Sequence, residues 1–125
     1  MPETNRPLSP HLQVYRPQLT SVLSILHRGT GMVITLGAIM VAGWVWSAMT
    51  GSAAYDCLHG VLNSSIGKVL MIFWTLCTSY HLLNGIRHLV WDCGYGFDLS
   101  QVYGSGKGVL AGTVLLTALV WLAGG

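Results

Sequence analysis

The chain carries no Asp, Glu, Lys or Arg between Arg28 and Asp56. Two further uncharged stretches lie between Lys68 and Arg87 and from Gly108 to the end of the chain. A helix that rises about 1.5 Å per residue needs about 20 residues to cross roughly 30 Å of hydrocarbon, and about 17 is the lower limit. All three stretches exceed that limit, the first by a wide margin, so each is long enough to span a membrane.

Composition supports the same interpretation. The chain is 52% hydrophobic and 8% charged, whereas a soluble domain is about 25% charged. We predict an all-α membrane protein with a single domain over residues 1–125, comprising an N-terminal arm over 1–23 and transmembrane helices over about 24–50, 66–90 and 106–124. Membrane lipid surrounds such a chain, and no nucleic-acid partner is expected. Three helices leave polar groups without a protein surface to face, so we expect a heteromeric bundle.

The positive charges predict an orientation. All but one of the Lys and Arg residues fall on the side of the N-terminus, and basic residues are retained on the cytoplasmic or matrix side of a membrane. They are Arg6, Arg16, Arg28, Arg87 and Lys107. The segment before the first span contains all the prolines of the chain and no apolar run typical of a signal peptide. The N-terminus is therefore predicted to face the cytoplasm or matrix.

His81 is the most unusual residue of the second span, in the stretch YHLLNGIRHLVWDCG. It lies six positions before Arg87, about 9 Å deeper in the membrane. A histidine at that depth is costly and suggests a function, and neutral imidazole is a good ligand for haem iron. A haem ligand and a histidine hydrogen-bonded across a helix interface are both compatible with this position. His11 and His59 lie outside the spans, so a second axial ligand is expected from another chain.

Cations at the same boundary suit the carboxylates of a haem. His81 and His88 share a helical face and lie about 10 Å apart along the axis. A haem with its iron at His81 would have its propionates near the boundary, where cations form charge-assisted hydrogen bonds. The sequence offers His27 and Arg28 on the first helix, and Arg87 or His88 on the second. Snorkelling to the interface also explains the two arginines.

Ser24 and Arg28 lie four positions apart, on one helical face at this boundary. A hydroxyl and a guanidinium there are suited to hydrogen-bonding a carbonyl oxygen of a lipid-soluble quinone. For Ser24 a second interpretation stays open, in which its hydroxyl satisfies a free backbone amide at the helix N-terminus. Asp92 is predicted to form a salt bridge with Arg28 or to relay protons.

Two segments carry a family resemblance. RPLSPH over residues 6–11 and SILHRGTG over 24–31 resemble the N-terminal signature of the cytochrome b subunit of succinate dehydrogenase, the large membrane anchor of respiratory complex II. HLLNGIRHLVWDCG over 81–94 resembles the second signature of that family. Three spans in 125 residues also match the family's length, so the resemblance covers essentially the whole chain.

The resemblance implies a non-catalytic anchor subunit of succinate dehydrogenase (quinone) in a bacterial cell inner membrane, or in a mitochondrial one. The implied partners are a flavoprotein, an iron–sulfur protein and a second small anchor. In this family, succinate is oxidised on the soluble partners, and electrons reach ubiquinone where the iron–sulfur subunit meets the anchors.

The resemblance also implies roles for single residues. His81 corresponds to the axial ligand of haem b, with the other ligand supplied by the second anchor. Ser24 and Arg28 correspond to quinone-site residues, and His27, Arg28 and His88 are the implied propionate contacts. Two alternatives stay open: an anchor of a quinol:fumarate reductase, and a haem-free structural or transporter subunit in which His81 packs or relays protons.

Overall fold

The structure is a computed structural model that describes residues 16–124, which contain no strand. Four helices follow in order: α1 (Leu19–Thr50), α2 (Ser52–Asn63), α3 (Ser65–Asp92) and α4 (Leu99–Gly124). α1, α3 and α4 are long and apolar enough to cross a membrane, so the predicted all-α membrane class with three transmembrane helices is confirmed. The RPLSPH segment, His11 and most of the predicted N-terminal arm lie outside the described residues.

The long helices extend beyond the uncharged stretches. α1 has 32 residues, α3 has 28 and α4 has 26, which correspond to about 48, 42 and 39 Å. Because these lengths exceed about 30 Å of hydrocarbon, the helices tilt or protrude from it. α1 begins at Leu19 and its N-cap is Gln18. Ser24 therefore lies in the second turn and does not cap the helix.

α2 is a short helix that does not appear among the elements predicted from the sequence. Its 12 residues are too few to span a membrane, and it packs between the end of α1 and the start of α3. Gly51 separates it from α1 with a φ of 155°, a conformation that favours glycine. The Gly67 amide of α3 donates to the Ser64 hydroxyl at 3.1 Å. A side chain at Gly67 would overlap the Val61 carbonyl of α2, so the reversal depends on glycine there.

Small and polar side chains fill much of the space between the long helices. Most large apolar side chains face outward instead, as expected where lipid or a partner subunit covers the surface. On the α3–α4 interface the hydroxyls of Ser79 and Thr117 lie 3.3 Å apart. The buried polar residues are Ser47, Ser79, Asn84, Arg87, Thr113 and Thr117.

One apolar cluster joins all three long helices. It consists of Leu23 from α1, Tyr80 from α3 and Val109 from α4. The Tyr80 hydroxyl donates a hydrogen bond of 2.7 Å to the Leu23 carbonyl. This bond links α1 to α3 next to the polar end of α3, and it holds the two helices in register there.

Replacing Gly37 with Ala is expected to lower the melting temperature of the purified protein in detergent. A Cβ at residue 37 would overlap the Trp74 indole, and overpacking of this kind costs about 1–3 kcal/mol. Gly43→Ala is the matched control, because nothing lies within 4 Å of a Cβ at that position of α1. Equal melting temperatures for the two variants would contradict this packing of α1 on α3.

Candidate functional site

His81 faces α1 and is fixed there by two contacts. Its Nδ1 lies 3.1 Å from the backbone carbonyl oxygen of His27 and 3.3 Å from the hydroxyl oxygen of Thr30. A carbonyl only accepts, and the Thr30 hydroxyl already donates to the Leu26 carbonyl at 2.8 Å. The network therefore assigns the proton of the neutral ring to Nδ1, which leaves the lone pair on Nε2.

Two glycines lie beside imidazole rings between α1 and α3, and Gly31 leaves room for the ring of His81. A Cβ at Gly31 would lie 3.2 Å from Cε1 of His81, closer than ordinary contact, and one at Gly85 would lie 3.8 Å from Cε1 of His27. The His27 and His81 rings stack with centroids 3.9 Å apart and planes at 10°. Gly31 and Thr30 thus belong to the setting of His81, although neither was predicted as a site residue.

His88 completes a group of three histidines. Its ring centroid lies 5.4 Å from that of His27 and 5.2 Å from the Trp91 ring. His27 has a buried Nδ1 without a hydrogen-bond partner among the described residues. Over residues 16–124, no set of three or more His, Cys, Asp or Glu is placed to hold a metal ion. A metal at this place would need ligands from another molecule.

Ser24 and Arg28 lie on α1 at the same end of the bundle as the histidines. Ser24 is half-buried and Arg28 is exposed. Neither side chain forms a hydrogen bond or ion pair with another residue in the described part of the chain. The Ser24 hydroxyl and the Arg28 guanidinium are therefore free to form hydrogen bonds with another molecule.

Arg87, in contrast, forms hydrogen bonds with α4. It is only 6% exposed, its Nε donates to the Ser105 hydroxyl and one terminal nitrogen donates to the Val102 carbonyl, both at 2.9 Å. The guanidinium also lies 3.9 Å above the Trp91 ring. Of the two cations that the sequence offers on the second span, Arg87 links α3 to α4, and His88 faces the histidine group.

Two further polar residues of α3 lie toward this end, and neither has a hydrogen-bond or ion-pair partner among the described residues. Asp92 is the exposed last residue of α3, and it pairs neither with Arg28 nor with another residue between 16 and 124. Asn84 is fully buried, and neither its amide oxygen nor its amide nitrogen has a partner among the described residues. Asn84 was not predicted as a site residue. Its position in the sequence, as a polar residue between His81 and His88 in the second span, could have indicated it.

Comparison with known proteins identifies the family. A sequence model of the succinate dehydrogenase/fumarate reductase transmembrane subunit matches residues 2–120. The chain belongs to this family. It is 41% identical over 117 residues to a succinate dehydrogenase cytochrome b556 subunit of Paracoccus denitrificans, covering 92% of this chain and 88% of the relative.

Other relatives of the family agree. A cytochrome b556 subunit of succinate dehydrogenase from Rickettsia prowazekii is 41% identical over 118 residues, with 94% of this chain and 91% of the relative covered. A cytochrome b560 subunit from Reclinomonas americana is 37% identical over 124 residues, with 94% and 85% covered. The family that the sequence motifs indicated is therefore confirmed. The chain is a multi-pass inner-membrane protein, an anchor of the succinate dehydrogenase/fumarate reductase family and part of a complex II assembly.

Proposed function

We propose that this chain is the membrane anchor of a succinate:ubiquinone oxidoreductase, with one axial ligand for haem b and part of the ubiquinone-reduction site. The names of its relatives combine succinate dehydrogenase with cytochrome b. Those names favour succinate oxidation over fumarate reduction as the direction of the assembled enzyme. Succinate itself is oxidised on partner subunits.

The haem proposal rests on the contact of His81 Nδ1 with the backbone carbonyl oxygen of His27, 3.1 Å away. Nδ1 donates to the His27 carbonyl, and metal-ligating histidines typically donate their second ring nitrogen to such an acceptor, which fixes the tautomer and the ring orientation. Nε2 would then be the nitrogen that binds the iron. Gly31 leaves the space that the ring occupies, since a Cβ at that position would lie 3.2 Å from Cε1 of His81. These residues fit a haem that takes one protein ligand from this chain.

The remaining haem contacts follow from charge and position. A haem b held here would supply one-electron redox chemistry at its iron. We assign the propionates to His27, Arg28 and His88, because the histidines gather beside His81 and the Arg28 guanidinium is exposed. Arg87 is left out because its guanidinium is bonded to α4. The second axial ligand is proposed to come from the second small anchor.

Ser24 and Arg28 are the proposed quinone ligands. Their side chains have no partner among the described residues, so binding a quinone carbonyl disrupts no existing hydrogen bond. A quinone accepts two protons with two electrons, and Arg28 stabilises the negative charge that develops on its oxygen. Asp92 is exposed at this end and is proposed as a proton relay rather than as the salt-bridge partner of Arg28.

Affinity capture of the tagged chain from gently solubilised membranes tests the proposed function. We expect a flavoprotein, an iron–sulfur protein and a second small anchor to co-purify, with succinate:ubiquinone reductase activity and a b-type band in the reduced-minus-oxidised spectrum. A haem-free structural subunit predicts no such band. A complex that reduces fumarate with menaquinol faster than it oxidises succinate would instead favour the fumarate reductase alternative.

A further inference from the structure

Tyr80 is the neighbour of His81 in α3, and it contacts a different part of α1. Its hydroxyl donates a hydrogen bond of 2.7 Å to the backbone carbonyl of Leu23. Tyr80 is 5% exposed and Leu23 is 1% exposed, so water does not compete for this bond. A hydrogen bond in such surroundings is electrostatically stronger than one in water. Tyr80 therefore attaches α3 to one fixed point of the α1 backbone.

The α1 helix does not need the Tyr80 hydroxyl for its own hydrogen bonds. Leu23 lies within α1, where the regular pattern pairs its carbonyl with the amide four residues later. A carbonyl oxygen has two lone pairs, and the hydroxyl of Tyr80 occupies the second. Removing that hydroxyl leaves the carbonyl bonded within the helix, so no buried acceptor is left without a partner. The bond therefore acts on the position of α1 relative to α3.

Tyr80 and His81 together hold one turn of α1 at both of its ends. The Nδ1 of His81 lies 3.1 Å from the carbonyl oxygen of His27, and the Tyr80 hydroxyl is bonded to the carbonyl of Leu23. These two carbonyls are four residues apart, which is about 6 Å along the helix. Two attachments at this spacing restrict both the rotation and the height of the turn, whereas a single attachment would allow it to pivot.

This turn carries every α1 residue to which the proposed function assigns a role. They are Ser24, His27 and Arg28. We propose that Tyr80 is a positioning residue, whose hydroxyl holds the two quinone ligands in place relative to the ring of His81. The inference rests on the proposed function. It adds that one hydrogen bond sets both the quinone ligands and the carbonyl that orients His81, so its loss should affect both.

Tyr80→Phe in the whole complex tests this role, because phenylalanine keeps the ring and removes only the hydroxyl. We expect the KM for ubiquinone to rise about two- to tenfold, as for the loss of one neutral hydrogen bond. The kcat should change less, since saturating quinone restores the bound arrangement. Haem content should be retained, but the midpoint potential should shift because the His27 carbonyl moves with the turn. Succinate-dependent reduction of an artificial acceptor should be unchanged.

Two further variants show whether the lost donor is the cause. Tyr103→Phe is the matched control, because Tyr103 of α4 is 37% exposed and its hydroxyl has no hydrogen-bond partner among the described residues. Its KM and midpoint potential should equal those of the unmodified complex. In place of Tyr80, 4-aminophenylalanine keeps a weaker donor at the end of the ring, so its KM should lie between those of the unmodified complex and Tyr80→Phe.

An unchanged KM and midpoint potential in Tyr80→Phe would overturn this inference alone, provided that Arg28→Leu still impairs ubiquinone reduction. No effect of Arg28→Leu would count instead against the proposed quinone site. An equal loss with both acceptors would assign Tyr80 to folding and overturn its positioning role. If Tyr80→Phe does not assemble, the 4-aminophenylalanine complex carries the test, and the KM and midpoint potential of the unmodified complex in it would overturn the inference.

Discussion

Replacing His81 with Leu is expected to remove the b-type band from the reduced-minus-oxidised spectrum of the assembled complex. Leucine keeps an apolar side chain in the same interface but offers no lone pair to iron. Losing a partner that merely orients a metal ligand typically costs about 10–100-fold in affinity, so losing the ligand itself should cost at least that much. Haem content per flavin, measured on the purified complex, gives the result directly.

His59→Leu is the matched control, because His59 is exposed on α2 at the other end of the bundle. Its complex should retain full haem content. Thr30→Val gives a milder test, since it removes one of the two oxygens near Nδ1 of His81 and leaves the His27 carbonyl in place. We expect it to shift the band or the midpoint potential without abolishing haem. A complex of His81→Leu with an undiminished b-type band would refute the axial-ligand assignment.

The fold could be predicted because charge alone marks the spans. A buried ionised side chain is so costly in hydrocarbon that the long uncharged stretch between Arg28 and Asp56 has few other interpretations. α2 could not be predicted in the same way. Its 12 residues are too short for a span and include Asp56, and the helix forms where Gly51 and Ser64 reverse the chain between α1 and α3.

The sequence predicts the membrane depth of the site residues but not the neighbouring helix that each side chain faces. His88 and Arg87 lie at one level, yet a single residue turns a helix by about 100°. That rotation directs Arg87 to Ser105 and the Val102 carbonyl of α4 and His88 to His27. No local pattern reveals which side a neighbouring helix will occupy.

The stacking of His27 on His81 could not be predicted either, because it also depends on how the helices pack. The His81 ring needs room beside α1, which Gly31 leaves because a Cβ there would lie 3.2 Å from Cε1 of His81. A glycine alone is unremarkable in a membrane helix, where small residues are common at interfaces. The effect of Gly31 on His81 depends on the crossing of α1 and α3, which a single sequence does not specify.

Replacing Arg28 with Leu is expected to lower kcat/KM for ubiquinone reduction by about 10–100-fold. A hydrogen bond to a charged group contributes about 1.5–3 kcal/mol, and every 1.4 kcal/mol or so is tenfold. Ser24→Ala removes a neutral hydrogen bond of about 0.5–1.5 kcal/mol, so its loss should be about two- to tenfold. Succinate-dependent ubiquinone reduction by the purified complex measures both variants.

The electron acceptor separates a quinone-site effect from a general defect. An artificial acceptor takes electrons from the soluble partners, so its reduction by succinate should be unchanged in Arg28→Leu. Lys107→Leu makes the same change of charge at the same end of the bundle, on the exposed surface of α4, and should leave both activities intact. Arg28→Leu would contradict the quinone-site assignment if it reduced ubiquinone at the unmodified rate. An equal loss of activity with both acceptors would show instead that Arg28 supports assembly. A residue that only contacts the quinone should lower the reduction of ubiquinone and leave the reduction of the artificial acceptor unchanged.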